Sequence, residues 1–150
     1  MSILKIKNKF ANHLMFSGKK QNSEKILLKS FKKFQQSSKK QTKKIFQLAL
    51  IYSTPIFKLH ESSNKKLKKR KRSKTRIIPA FMPKPLTRIS LGIKYILASI
   101  SKKHTQKVFY NKLYHEVLLI SKTKGNNLEI KKETQKKTLL NKRYFKYYRW

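Results

Sequence analysis

The sequence predicts a mainly α-helical fold, a bundle of about six helices with a β-hairpin inserted between the third and fourth. Three observations carry that expectation. Apolar residues recur at three- and four-residue spacing in stretch after stretch along the chain. Two short extended stretches, residues 55–60 and 77–82, stand either side of a polar insert, and in the first of them Phe57 and Leu59 alternate with polar neighbours. Between them, residues 65–76 carry nine basic side chains in twelve positions, which no core can absorb, because each charge would lose its hydration without a partner.

Helix one is expected over about residues 4–16, where Ile3, Ile6, Phe10 and Leu14 share a face and Gly18 suits a left-handed cap. Asn22 or Ser23 can cap helix two, with Glu24 in its first turn, and Leu27, Leu28, Phe31 and Phe34 form its stripe. Residues 35–44 are polar and read as a loop. Helix three carries Ile45, Leu48, Ala49 and Tyr52 at i, i+3, i+4 and i+7, and Pro55 ends it. Leu86, Ile89, Ile93, Ile96 and Ile100 define helix four. Gly92 inside it costs about 1 kcal/mol relative to Ala, so a close packing contact is expected there. Phe109, Leu113, Val117 and Ile120 give helix five, closed by Gly125-Asn126-Asn127. A weaker pattern from about Leu128 leads into an aromatic and basic tail, residues 144–150.

Composition narrows the function classes. Forty of 150 residues are Lys or Arg and five are acidic, a formal net charge of +35. A compact chain with that field needs an anionic partner, and nucleic acid is the leading candidate. The hydrophobic fraction of 38% is too high for a disordered basic tail, and the length suits a single domain, residues 1–150. Cysteine is absent, which removes disulfides and Cys-based zinc sites. No apolar run approaches the roughly 20 residues of a membrane span.

Catalysis finds no support in the residues. Glu24, Glu61, Glu116, Glu129 and Glu133 form no close pair in sequence. His60-Glu61 and His115-Glu116 start like a zinc-protease motif, but Asn64 and Leu119 stand where the second His belongs. The three glycines are too far apart for a phosphate loop. No cofactor, metal or enzymatic activity is expected. Polyanion binding is favoured instead, through Lys65, Lys66, Lys68, Lys69, Arg70, Lys71, Arg72, Lys74 and Arg76 of the arm, with tail aromatics available for base stacking.

Three stretches resemble one family, the bacterial and organellar small-subunit ribosomal protein seven. Residues 9–20, Lys-Phe-Ala-Asn-His-Leu-Met-Phe-Ser-Gly-Lys-Lys, are similar to its Lys-Phe-x-Asn-x-Leu-Met-x-x-Gly-Lys-Lys. Residues 91–96, Leu-Gly-Ile-Lys-Tyr-Ile, are similar to its Leu-Ala-x-Arg-Trp-Ile, and Phe145 with Tyr148-Arg149-Trp150 looks like its ending. The resemblance implies a six-helix bundle with a hairpin between helices three and four. It also implies binding to the 3′ major domain of small-subunit rRNA, assembly of the subunit head, and a hairpin directed toward the exit-site tRNA and the mRNA exit, near protein eleven. It assigns rRNA contacts to Lys19, Lys20, Arg88, Lys94, Arg143 and Arg149, and gives the arm to rRNA or tRNA. Gly92 and Tyr95 depart from the family's Ala and Trp, barely eight residues precede the first motif, and the hairpin tip lacks the family's glycines.

Residues 1–23 are basic and acid-free like a transit peptide, yet they include the first motif, so no cleavable presequence is expected. The Lys-, Asn-, Ile- and Phe-rich composition points to an A+T-rich genome and to a mitochondrial protein, with plastid and bacterial cytoplasm as alternatives. A histone-like or nucleoid DNA-binding protein is the competing reading, since it would share the charge.

Overall fold

The computed structural model describes residues 3–37, 42–62, 76–101 and 108–147. In chain order these form α1 (Ile3–Leu14), α2 (Lys20–Ser37), α3 (Thr42–Ser53), β1 (Phe57–Ser62), β2 (Arg76–Phe81), α4 (Pro85–Ser101), α5 (Phe109–Ser121), α6 (Asn126–Leu140) and a 3-10 helix (Lys142–Tyr147). The strands pair antiparallel, from Phe57 opposite Phe81 to Ser62 opposite Arg76. The expected class therefore holds: six α-helices among the described residues, with a hairpin between the third and fourth. Residues 63–75, most of the basic arm, lie outside the described residues.

α1, α2, α5 and α4 touch in turn as a ring, and α3 packs against α5, α4 and α2. Phe10, Leu27, Phe34, Ile93, Ile96, Ile100, Leu113, Val117 and Ile120 are buried where these helices meet. Aromatic rings tie the layers together: Phe10 and Phe31 lie 5.5 and 5.2 Å from Phe46, and Phe34 lies 4.8 Å from Tyr114. Such tilted pairs add about 0.5–1.5 kcal/mol beyond simple area burial.

The buried stripes differ from the expected ones by small polar residues. In α2 the inward positions are Ser23, Leu27, Ser30 and Phe34, while Leu28 is exposed. Ser23 is therefore an interior residue rather than a cap: its hydroxyl donates to Lys20 O at 2.7 Å, and that of Ser30 to Leu27 O at 2.7 Å. Returning the hydrogen bond to its own helix lets a hydroxyl enter the core satisfied. The helix starts earlier than expected because Ser17 and Gly18, at φ 49° and 74°, turn the chain just before Lys20. It also runs on to Ser37, through part of the expected loop. In α3 the core side is Phe46, Ala49, Leu50 and Ser53, and Leu48 faces outward; Leu86 of α4 is exposed as well.

The largest difference is α6. It starts at Asn126, so Gly125, at φ 134°, opens α6 instead of closing α5. Its buried residues are Asn127, Thr134 and Thr138, a polar stripe. Thr134 donates to Ile130 O at 2.6 Å and Thr138 to Thr134 O at 2.7 Å. Between them Lys131 donates to Tyr52 O at 2.7 Å, near the C-terminal end of α3 where carbonyls lack helical partners. Burial lowers the pKa of Lys131 below its usual range.

Candidate nucleic-acid interface

The site begins where α1 crosses α4. The Lys9 ammonium donates to Leu86 O at 3.0 Å, which pins the first helix to the start of the fourth. One helical turn on, His13 sits partly buried with Lys94 of α4 and Lys9 as its charged neighbours. Burial, and then the repulsion of Lys94 and Lys9, lowers its pKa. An imidazole that resists protonation next to two ammonium groups marks a positive potential that an anion would relieve.

Lys94 is exposed on the outer side of α4. Lys19 and Lys20 are exposed too, on the turn after α1, where Lys20 makes a 3.9 Å ion pair with Glu24. A pair this exposed adds little stability and leaves the lysine available to a phosphate. The fold thus joins Lys94 to Lys9 and His13, and keeps Lys19 and Lys20 on the neighbouring turn without a hydrogen bond to that trio.

Arg88 is placed differently. Its Nε donates to Met82 O at 2.5 Å, and its guanidinium lies 5.3 Å from the Phe81 ring centre. It grips the root of the hairpin. Phe57, opposite Phe81 at 5.8 Å, stacks on Phe145 of the 3-10 helix at 5.3 Å with planes 14° apart. The tail aromatics are thereby divided: Phe145 packs against the hairpin, while Arg143 is exposed, with its guanidinium over the Tyr144 ring at 5.0 Å. Arg149 and the arm residues Lys65 to Lys74 lie outside the described residues, and Arg76 opens β2 opposite Ser62.

Sequence reasoning passed over Lys9 and His13, although their i, i+4 spacing inside the first motif puts both on one face of α1. It also passed over Lys131, whose only signal is its position between Asn127 and Thr134. Among the described residues, no three His or Glu side chains gather as metal ligands, and no helix is long and apolar enough to cross a membrane.

Comparison with known proteins falls on the same elements. The family described as Ribosomal protein S7p/S5e matches residues 3–142, from the first residue of α1 to the start of the 3-10 helix. Small ribosomal subunit protein uS7 of Sulfurimonas denitrificans is 28% identical over 146 residues, covering 97% of this chain and 88% of its own. The uS7 of Myxococcus xanthus is 28% identical over 95% of this chain and 85% of its own. The uS7m of Reclinomonas americana is 28% identical over 95% and 83%. With the match running through all six α-helices and both strands, the chain belongs to the ribosomal protein S7p/S5e family.

Proposed function

We propose that the chain is a structural constituent of a small ribosomal subunit, a single domain over residues 1–150 that holds small-subunit rRNA and carries out no catalysis. The observation behind this reading is the family match across residues 3–142 in a chain of net charge +35. The mechanism is electrostatic. Basic faces built on rigid helices meet folded RNA, and shape more than base sequence sets the register.

In the finer reading, Lys19, Lys20 and Lys94 contact phosphates of the 3′ major domain in the subunit head, with Arg143 and Arg149 adding contacts from the tail. Arg88 contributes chiefly by aiming the hairpin. The arm, Lys65 through Arg76, extends toward the exit-site tRNA and mRNA exit, beside protein eleven. The uS7m relative and the A+T-type composition support a mitochondrial home.

Gradient sedimentation after a salt wash tests the assignment. The tagged chain is expected to travel with the small subunit; migration with DNA would replace the ribosomal reading by the nucleoid one.

A further inference from the structure

On the edge of the helical ring opposite the α1–α4 seam, α2 and α5 enclose a groove of about 420 Å³ lined by Lys29, Lys32, Lys33, Gln36, Tyr110 and Asn111. Its floor is built. The half-buried Lys33 ammonium donates to Asn111 Oδ1 at 2.6 Å and lies 5.3 Å from the Tyr114 ring centre. Lys29 and Lys32 are exposed above it, and Lys25 continues the same row one turn earlier. Among the described residues, no carboxylate lines the groove.

Like charges at i, i+3 and i+4 repel along a helix, so this row strains α2 unless an anion sits across it. At 1.5 Å per residue the row from Lys25 to Lys32 spans about 10 Å, the axial rise of about three nucleotides of one strand. Tyr110 adds a phenol and Asn111 an amide to the lining, groups that suit a sugar-phosphate backbone as well as phosphate alone.

From this we infer that the α2–α5 groove is a second phosphodiester-binding site, which holds an RNA strand other than the one on the α1–α4 seam. The inference rests on the rRNA-binding reading above and adds to it: the domain clamps two RNA segments on opposite edges. The α1–α4 and α2–α5 seams share no helix, so one strand on each edge engages separate lysines.

The test uses the purified full-length chain and a fluorescent 12-mer oligouridylate, with affinity followed from 50 to 200 mM salt. Lys29→Gln/Lys32→Gln removes two phosphate contacts, so the log–log salt slope is expected to fall by about 1.4, and the affinity change across that range shrinks about sevenfold. Lys122→Gln/Lys124→Gln, an equal loss of charge beyond the end of α5, should move it far less. Gln36→Lys should raise the slope by about 0.7. Groove variants that behave like the matched control overturn the proposal. So does a groove that loses affinity for a polyglutamate peptide and not for RNA, which would make an acidic protein segment its occupant. Lys19→Gln/Lys94→Gln separates the two ideas: if it changes nothing while the groove variants do, the seam reading fails and the groove stands.

Discussion

A Cβ added at Gly92 of α4 would lie 3.1 Å from Ser53 Oγ and 3.3 Å from the Ser53 carbonyl carbon and oxygen at the end of α3. The two helices approach at backbone distance, and Ser53 is held there by its own bond to Leu50 O at 3.0 Å. Gly92→Ala gains about 1 kcal/mol of helix propensity but must displace backbone, so its net cost is expected to stay within about 1 kcal/mol. Gly92→Val has no such offset and should destabilise by about 2–3 kcal/mol or more. Ser53→Ala removes the nearest obstacle, and the Ser53→Ala/Gly92→Ala pair should couple favourably. Thermal melts in sulfate buffer, which screens the net charge, measure all four; independent effects would mean that the crossing adjusts freely.

That close approach was legible in the sequence because a glycine within a strong helical pattern asks for a reason. The apolar faces of α1, α4 and α5 were legible for the same cause, since Phe10, Ile93, Ile96 and Val117 repeat at helical spacing. The α6 face was not. Its inward positions are Asn127, Lys131, Thr134 and Thr138, and a periodicity search for hydrophobic residues cannot see a stripe in which the threonines bond carbonyls of their own helix and Lys131 one of α3. Within the interface, Lys19 and Lys94 stood out through motifs. The partnership of His13, Lys9 and Lys94 depends on how α1 crosses α4, which one-dimensional spacing does not encode.

Ser99 carries a second buried dependency. Its hydroxyl lies 2.8 Å from Ile96 O and 2.9 Å from Oε1 of the fully buried Glu116. Ser99→Ala withdraws a donor from a carboxylate that cannot reach water, and about 1–3 kcal/mol of stability should be lost. Urea titration monitored by helicity measures it. A variant as stable as the parent would show that the remaining partners of Glu116 suffice.

His13 gives the protein a pH signature. Its pKa is depressed in the fold, so below the ordinary value of 6.5 the unfolded chain binds more protons than the native one, and stability falls as pH drops through the window beneath 6.5. RNA phosphate near Lys9 and Lys94 reverses the penalty by favouring the imidazolium, so RNA affinity should rise over the same window. His13→Asn should flatten both trends. Fluorescence binding and melting curves between pH 5.5 and 7.5 check the pair of slopes; opposite signs are required.

The arm should be separable from the body. Both strands are registered by pairs from Phe57–Phe81 to Ser62–Arg76, and the root is fixed by Phe145 and Arg88, so the described part of the hairpin is anchored by residues other than the arm lysines. Replacing Lys65, Lys66, Lys68, Lys69, Lys71 and Lys74 by Ser should leave far-ultraviolet circular dichroism unchanged. The salt slope of RNA binding should fall by up to about 4–5, at about 0.7–0.9 for each phosphate left without its lysine. A collapse of helicity would place the arm in the core.

Arg88 separates aiming from charge. A lysine there keeps the positive charge but has neither the planar guanidinium over Phe81 nor the Nε that reaches Met82 O. If Arg88 acted as a phosphate contact alone, Arg88→Lys would bind RNA nearly as the parent does. Because it clamps the strand that carries the arm, the variant should instead lose RNA affinity by several-fold with the salt slope unchanged, since the same number of counter-ions is released from a hairpin held less firmly. Phe145→Ala, which removes the stack on Phe57 from the other side of the root, should reproduce that behaviour. A reduced slope in Arg88→Lys would return Arg88 to the RNA surface.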